Sequence, residues 1–317
     1  MHSTRHQPIP TASQQLPTAR HPFSMLDAAA LHALHNLALV ARLLAEGAQA
    51  GLHPSRRRGP GLEFSQYRPY QPGDDLRRLD WRLAARSDRY YLRESDVDTR
   101  LTLRLLLDAS ASLNHPDRAG VTKLQYARLL LAGLAYLAHR QADAVAFHAL
   151  RHDGLQSVPA SADSGQLPRL YHALQQLSAE GSFPALPQLR PLLARRGASI
   201  TVLVSDLYDL APASPLEQLL RQLRAGGGEV LVLHLLARNE TDLDYPAATV
   251  LHDLETGQRL QLDPAQRPAY QQQFRAWLRQ TEHLVHGCGA SYHRLFTDEP
   301  PAQALRSLLR TRLHGLG

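Results

Sequence analysis

From residue 101 onward, short apolar runs alternate with amphipathic stretches, and this alternation constrains the fold more than any other feature of the chain. Residues 101–107, 144–150, 199–205, 230–236 and 291–296 are apolar runs of strand length. Between them, apolar residues recur at helical spacing over about 119–140, 165–178, 215–225 and 264–286, with a last helix expected over about 301–313. Strands that are apolar throughout must be covered on both faces, and intervening helices provide that cover by crossing over between parallel neighbours. The expected class is therefore α/β: a doubly wound, mostly parallel, Rossmann-type sheet. Residues 249–262, centred on Glu255-Thr256-Gly257, read as a hairpin inserted into this pattern.

The first hundred residues follow a different grammar. Residues 1–22 mix Pro, Ser, Thr, Gln and His without periodicity, which is the composition of a disordered tail. Over 25–50, Leu31, Leu34, Leu37, Leu39, Val40, Leu43 and Leu44 predict one amphipathic helix. Residues 51–61 are rich in chain breakers, and 63–70 and 89–97 have the polar alternation of short edge strands. The expected organisation is a tail (1–22), a region with a helix and β-strands (23–100), and the main sheet domain (101–317).

Composition narrows the function classes. With 44% apolar and 20% charged residues, the 317-residue chain has enough apolar material for a substantial core. Its longest apolar runs fall far short of the ~20 residues of a spanning helix, and the N-terminus lacks the apolar stretch of a secretory signal. The lone Cys288 excludes an internal disulfide or a thiolate cage. A cytoplasmic protein is expected. The net charge of +6 raises nucleic acid as a partner, but Lys123 is the only lysine in an Arg-dominated chain. That bias, and the acidic residues interleaved with the most basic tract, leave no nucleic-acid partner expected.

Chemistry concentrates where the first apolar run ends. Leu107-Asp108-Ala109-Ser110-Ala111-Ser112 delivers one carboxylate and two hydroxyls to the carboxyl edge of the sheet, where open α/β sheets bind ligands. These are hard oxygen donors suited to Mg²⁺, with Mn²⁺ or Ca²⁺ as substitutes. A second acidic strand end, Ser205-Asp206, supplies an outer carboxylate, with Asp209 as a less favoured substitute. No nucleophile with an adjacent base accompanies these groups, so binding rather than turnover is expected. His115, in Asn114-His115-Pro116-Asp117, reads as part of a solvent-exposed turn.

The D-x-S-x-S run resembles the start of the metal-ion-dependent adhesion site of von Willebrand factor A-like domains. The upstream strings Gly59-Pro60-Gly61-Leu62-Glu63-Phe64 and Arg68-Pro69-Tyr70-Gln71-Pro72-Gly73-Asp74-Asp75-Leu76-Arg77-Arg78-Leu79-Asp80-Trp81, followed by Ala85-Arg86, narrow the likeness. They resemble the signature of the bacterial family called domain of unknown function 58. The resemblance implies Asp108, Ser110, Ser112 and Asp206 as metal positions. The threonine such sites carry between them has no obvious counterpart here, and Ser182, in the loop 179–186, offers a hydroxyl in its place. It further implies a partner, a MoxR-type AAA+ ATPase, and an adaptor or chaperone-like role in maturing protein complexes.

Other constellations have plainer readings. Glu63, Asp74, Asp75 and Asp80 are the raw material of a metal-dependent hydrolase or nuclease, but a Pro-Gly-Asp-Asp turn with acids paired to Arg77, Arg78, Arg82 and Arg86 accounts for them structurally. Arg56, Arg57 and Arg58 form a short basic run of the kind found in solvated loops or on nucleic-acid binders. The pairs His32/His35 and His283/His286 lie one helical turn apart without a further ligand at a metal-binding offset, which makes surface or boundary histidines the simpler reading.

Overall fold

A computed structural model describes residues 27–33, 36–49, 66–69, 86, 90–94, 101–193, 199–243, 245, 250–255, 257–261 and 263–314. In chain order the elements are α1 (Ala28–His32), α2 (Leu37–Gln49), β1 (Gln66–Pro69), β2 (Tyr91–Glu94), β3 (Thr102–Asp108), α3 (Lys123–Arg140), β4 (Ala144–Arg151) and β5 (Gly154–Ser161). They continue with α4 (Gln166–Gln176), α5 (Arg190–Leu193), β6 (Ser199–Ser205), α6 (Pro215–Ala225), β7 (Glu229–Leu236), α7 (Arg238–Asp242), β8 (Val250–His252) and β9 (Arg259–Gln261). The chain closes with α8 (Arg267–Gly287), β10 (Ser291–Phe296) and α9 (Pro301–His314).

The fold is mixed α/β around a six-stranded, mostly parallel sheet in the order β10-β7-β6-β3-β4-β5. Only the edge strand β5 is antiparallel to its neighbour. Alternate residues of the central strands enter two separate layers, as a strand's two-residue period requires. Leu103, Leu105, Leu107, Val202 and Val204 pack with residues of α1 to α4 and α9, whereas Leu106, Leu203, Val230 and Val232 pack with residues of α6 and the end of α8. The apolar runs are apolar throughout because both of their faces are buried.

Strand β5 has no counterpart among the predicted runs. Its polar, Pro-bearing sequence is tolerable only at a sheet edge, where unpaired backbone groups can face outward. The single helix expected over 25–50 is two. Asn36 caps the second, its side-chain oxygen accepting the Leu39 N–H at 3.0 Å. Helix α3 likewise begins later than its periodicity suggests. Thr122 and Gln125 form a reciprocal capping box at its start, and the Asp117 carboxylate holds the N–H groups of Ala119 and Val121 in the preceding loop. The paired strands β1 and β2, and the hairpin β8–β9, fall within their expected ranges. Among the described residues, no helix is long and apolar enough to cross a membrane.

Helices α2, α3 and α9 meet at Gly133, where an added Cβ would lie 2.7 Å from Leu305 Cδ1 and 3.5 Å from Leu44 Cβ. Gly133→Val is expected to destabilise the protein by about 1–3 kcal/mol through overpacking, read as a lower urea midpoint with an unchanged slope. An unchanged or raised midpoint would contradict this packing.

Candidate functional site

Parallel pairing of β3 with β6 sets Leu107 opposite Val204, so the two strands end side by side. Strand order reverses between them, because the chain runs outward from β3 through β4 and β5 in one direction and from β6 through β7 and β10 in the other. Such a reversal opens a crevice at the carboxyl edge. Asp108 and Asp206 both stand there, each 1% exposed.

Hydrogen bonds fix the first loop in a compact crown. Asp108 Oδ1 accepts the Ser110 N–H at 3.0 Å, and its Oδ2 accepts the Ser205 hydroxyl at 2.7 Å. The hydroxyls of Ser110 and Ser112 lie 3.1 Å apart. Backbone bonds from Ala111 N–H to Gly181 O and from Glu180 N–H to Ala109 O, both 2.8 Å, pin this loop to the segment before Ser182. Burial, followed by the negative charge of Asp206, pushes the Asp108 carboxyl up to about 7. Just beyond Asp206, Leu207 is fully buried at φ +58°, a left-handed conformation that a branched, non-glycine residue adopts only at a cost.

Sequence reading missed the main counterion, Lys123. As the first residue of α3, it directs its side chain back past the helix start, the direction helical side chains favour. Its fully buried Nζ donates to Asp206 Oδ2 and Glu240 Oε1, each at 2.7 Å. Burial alone would lower its pKa, but the charges of and bonds to Asp206 and Glu240 outweigh burial and hold it above the ordinary lysine value. Glu240 is itself fixed through Oε2, which accepts the Ala237 N–H at 2.7 Å. The ring of Tyr208, 42% exposed, covers the ammonium at 4.9 Å and stacks on Trp277. Across the pairing with Ser205, His234 is buried and bonds through Nδ1 to the Tyr292 hydroxyl at 2.7 Å. Burial drives its pKa down to about 3, so it stays neutral.

Of the residues singled out in the sequence, Asp108, Ser110, Ser112 and Asp206 come together. Ser182 is exposed in the adjoining loop, and Asp209 is half-buried, its pKa raised mainly by burial. His115 departs from the solvent-exposed turn expected of it. It is half-buried, with Nε2 3.3 Å from Asn239 Oδ1 and 3.4 Å from the Tyr245 hydroxyl, because Asn239 also reaches Pro116 O and draws the loop inward. His32 contacts Gln125, His283 and His286 are exposed, and Cys288 is buried. Among the described residues, no three His, Cys, Asp or Glu side chains form a group that could hold a metal ion. A cation in the crevice would therefore rest on the serine hydroxyls. Two ligands at the ~2.0–2.1 Å of Mg²⁺, at right angles, stand about 2.9 Å apart, close to the observed hydroxyl spacing. Glu63, Asp74, Asp75, Asp80, Arg56, Arg57, Arg58 and His35 lie outside the described residues.

A family model described as "Protein of unknown function DUF58" matches residues 66–283. Uncharacterised proteins of Mycobacterium bovis and Mycobacterium tuberculosis are 30% identical over 303 residues, covering 89% of this chain and 91% of theirs. Among solved structures, the conserved hypothetical protein BatB of Bacteroides thetaiotaomicron is 12% identical, with a TM-score of 0.42, covering 67% of this chain and 98% of that one. An aerotolerance-related membrane protein of Bacteroides fragilis is 13% identical at the same TM-score, covering 67% and 99%.

Replacing Lys123 by Met keeps the side chain's length but leaves Asp206 and Glu240 buried without their shared cation. The expected loss is about 3–5 kcal/mol of unfolding free energy, measured by urea denaturation near pH 7. A loss below ~1 kcal/mol would show that the ion triad is not needed to hold these segments together.

Proposed function

The chain belongs to the DUF58 family, whose function is unknown, and from that premise we propose that it is a von Willebrand factor A-like interaction module rather than an enzyme. Its crown binds Mg²⁺ and presents it to an acidic side chain of another protein. The observation that carries this reading is the convergence of Asp108, Ser110 and Ser112 with Asp206 at the crevice where strand order reverses.

The donor chemistry fits such an ion. Ser110 and Ser112 would supply neutral hydroxyl ligands, while Asp108 and Asp206 would hold the surrounding charge. Lys123 is already shared between Asp206 and Glu240, and Asp108 makes no ion pair among the described residues. A divalent ion there would act as a Lewis acid that keeps excess positive charge and accepts an external carboxylate. Binding rather than turnover is favoured because burial lowers the pKa of His234, the buried imidazole across from Ser205, to about 3, too weakly basic to draw a proton from a serine hydroxyl. The family resemblance supports a MoxR-type AAA+ ATPase as the partner and maturation of protein complexes as the setting.

Isothermal titration with Mg²⁺ and Mn²⁺ is expected to give saturable binding in the wild type and about 10- to 100-fold weaker binding in Asp108→Ala, the usual scale for loss of a supporting group around a metal. In parallel, a MoxR-type ATPase from the same cell is expected to co-purify with the wild type and to be released by Ser110→Ala. Equal heats for wild type and Asp108→Ala would remove the metal from this account.

A further inference from the structure

The start of α2, the last turns of α3 and helix α4 surround an open groove of about 570 Å³, a volume that takes a small organic molecule. Lys123 and Tyr136 lie on the same helix, roughly 20 Å apart by helical rise, so the groove is separate from the crown. Its apolar walls are Leu37, Ala38, Tyr136, Leu167 and Pro168, and no acidic side chain lines it. Two kinds of donor reach it unused. The first is the N-terminus of α2: Asn36 Oδ1 takes the Leu39 N–H, but the N–H groups of Leu37 and Ala38 have no acceptor among the described residues. The second is Tyr171, which is 7% exposed and also lines the groove. Its hydroxyl is buried with no hydrogen-bond partner, an unfavourable state that an incoming acceptor oxygen would relieve. Burial raises its pKa, which keeps it a donor. Arg140 adds positive charge beside the groove, with its guanidinium carbon 6.0 Å from the Tyr136 ring centroid and no ion pair among the described residues.

We infer that this groove binds a small organic carboxylate, with the anion at the start of α2, the apolar body between Tyr136, Leu167 and Pro168, and the Tyr171 hydroxyl donating to it. Each part of the ligand answers a feature of the groove. The exposed backbone donors and positive end of a helix favour an anion, and a neighbouring arginine reinforces that preference. The orphaned phenol calls for an acceptor oxygen, which a carboxylate has in excess. The aromatic and aliphatic walls call for a hydrocarbon body, and the volume limits its size. The inference is independent of the crown and of the metal-binding reading given to it.

Isothermal titration of the full chain with 4-phenylbutyrate tests this, with 4-phenylbutanol as the uncharged control. The wild type should bind the acid saturably at one site, and the alcohol about 10-fold more weakly or less. Tyr171→Phe removes only the hydroxyl, which has no partner to lose, so its urea midpoint should not fall while its affinity for the acid drops by about 10-fold. Ala38→Asp places a carboxylate in the exposed first turn of α2, where it favours the helix but repels an anion, and its affinity should fall by about 10-fold or more. Asp108→Ala, at the crown, should bind the acid as the wild type does. Absence of saturable binding by the wild type would overturn the site, as would equal affinities for acid and alcohol. An affinity unchanged in either Tyr171→Phe or Ala38→Asp would also overturn it, and loss of binding in Asp108→Ala would place the ligand elsewhere.

Discussion

The ammonium of Lys123, sealed between Asp206 and Glu240, is the interaction on which the geometry of the sheet's carboxyl edge depends. It ties together the start of α3, the end of β6 and helix α7, three segments with no continuous backbone pairing to one another. Desolvating an ammonium and two carboxylates costs several kcal/mol per ion, so such a triad contributes more to a unique arrangement than to net stability. Its compact point charge also suits the position better than a guanidinium would. Two carboxylate oxygens at 2.7 Å on opposite partners can share an ammonium, whereas the planar fork of arginine matches a single carboxylate in bidentate fashion. In a chain that otherwise uses arginine, the one lysine sits where that distinction matters.

With Asp206 held from one side, the crown forms from the other. The reversal of strand order between β3 and β6 gives a crevice, the D-x-S-x-S loop lines it, and the segment 179–181 clamps that loop through backbone bonds. The left-handed Leu207 turns the chain sharply after Asp206 and brings Tyr208 over Lys123. The aromatic group of Tyr208, Trp277 and Phe274 forms a wall beside the site. Positioning here comes from strand ends and short, hydrogen-bonded turns, which hold side chains more rigidly than long loops do.

Much of this was legible in the sequence for a simple reason. Central parallel strands are apolar on both faces, so β3, β4, β6 and β7 announce themselves, and a carboxylate at the end of such a run marks the edge where ligands bind. Asp108, Ser110, Ser112 and Asp206 were found in this way. The edge strand β5 carried no such signal, because its polar pattern resembles a loop until its partner β4 is in place. The break between α1 and α2 was hidden because Leu31, Leu37, Val40 and Leu44 continue one apolar stripe into the same core on both sides of it. Lys123 and Glu240 were missed as site residues because their partners are remote: Lys123 meets Asp206 across 83 positions and Glu240 across 117. Only the singularity of that lysine pointed toward it.

The most direct test of the account is where a cation sits. Crystals soaked in Mn²⁺ and measured at a wavelength that reveals its anomalous scattering would locate the ion without reference to any activity. The account predicts one strong peak within coordination distance of the Ser110 and Ser112 hydroxyls, facing Asp108 and Asp206. A crown with no peak and the two serine hydroxyls still bonded to each other would contradict it.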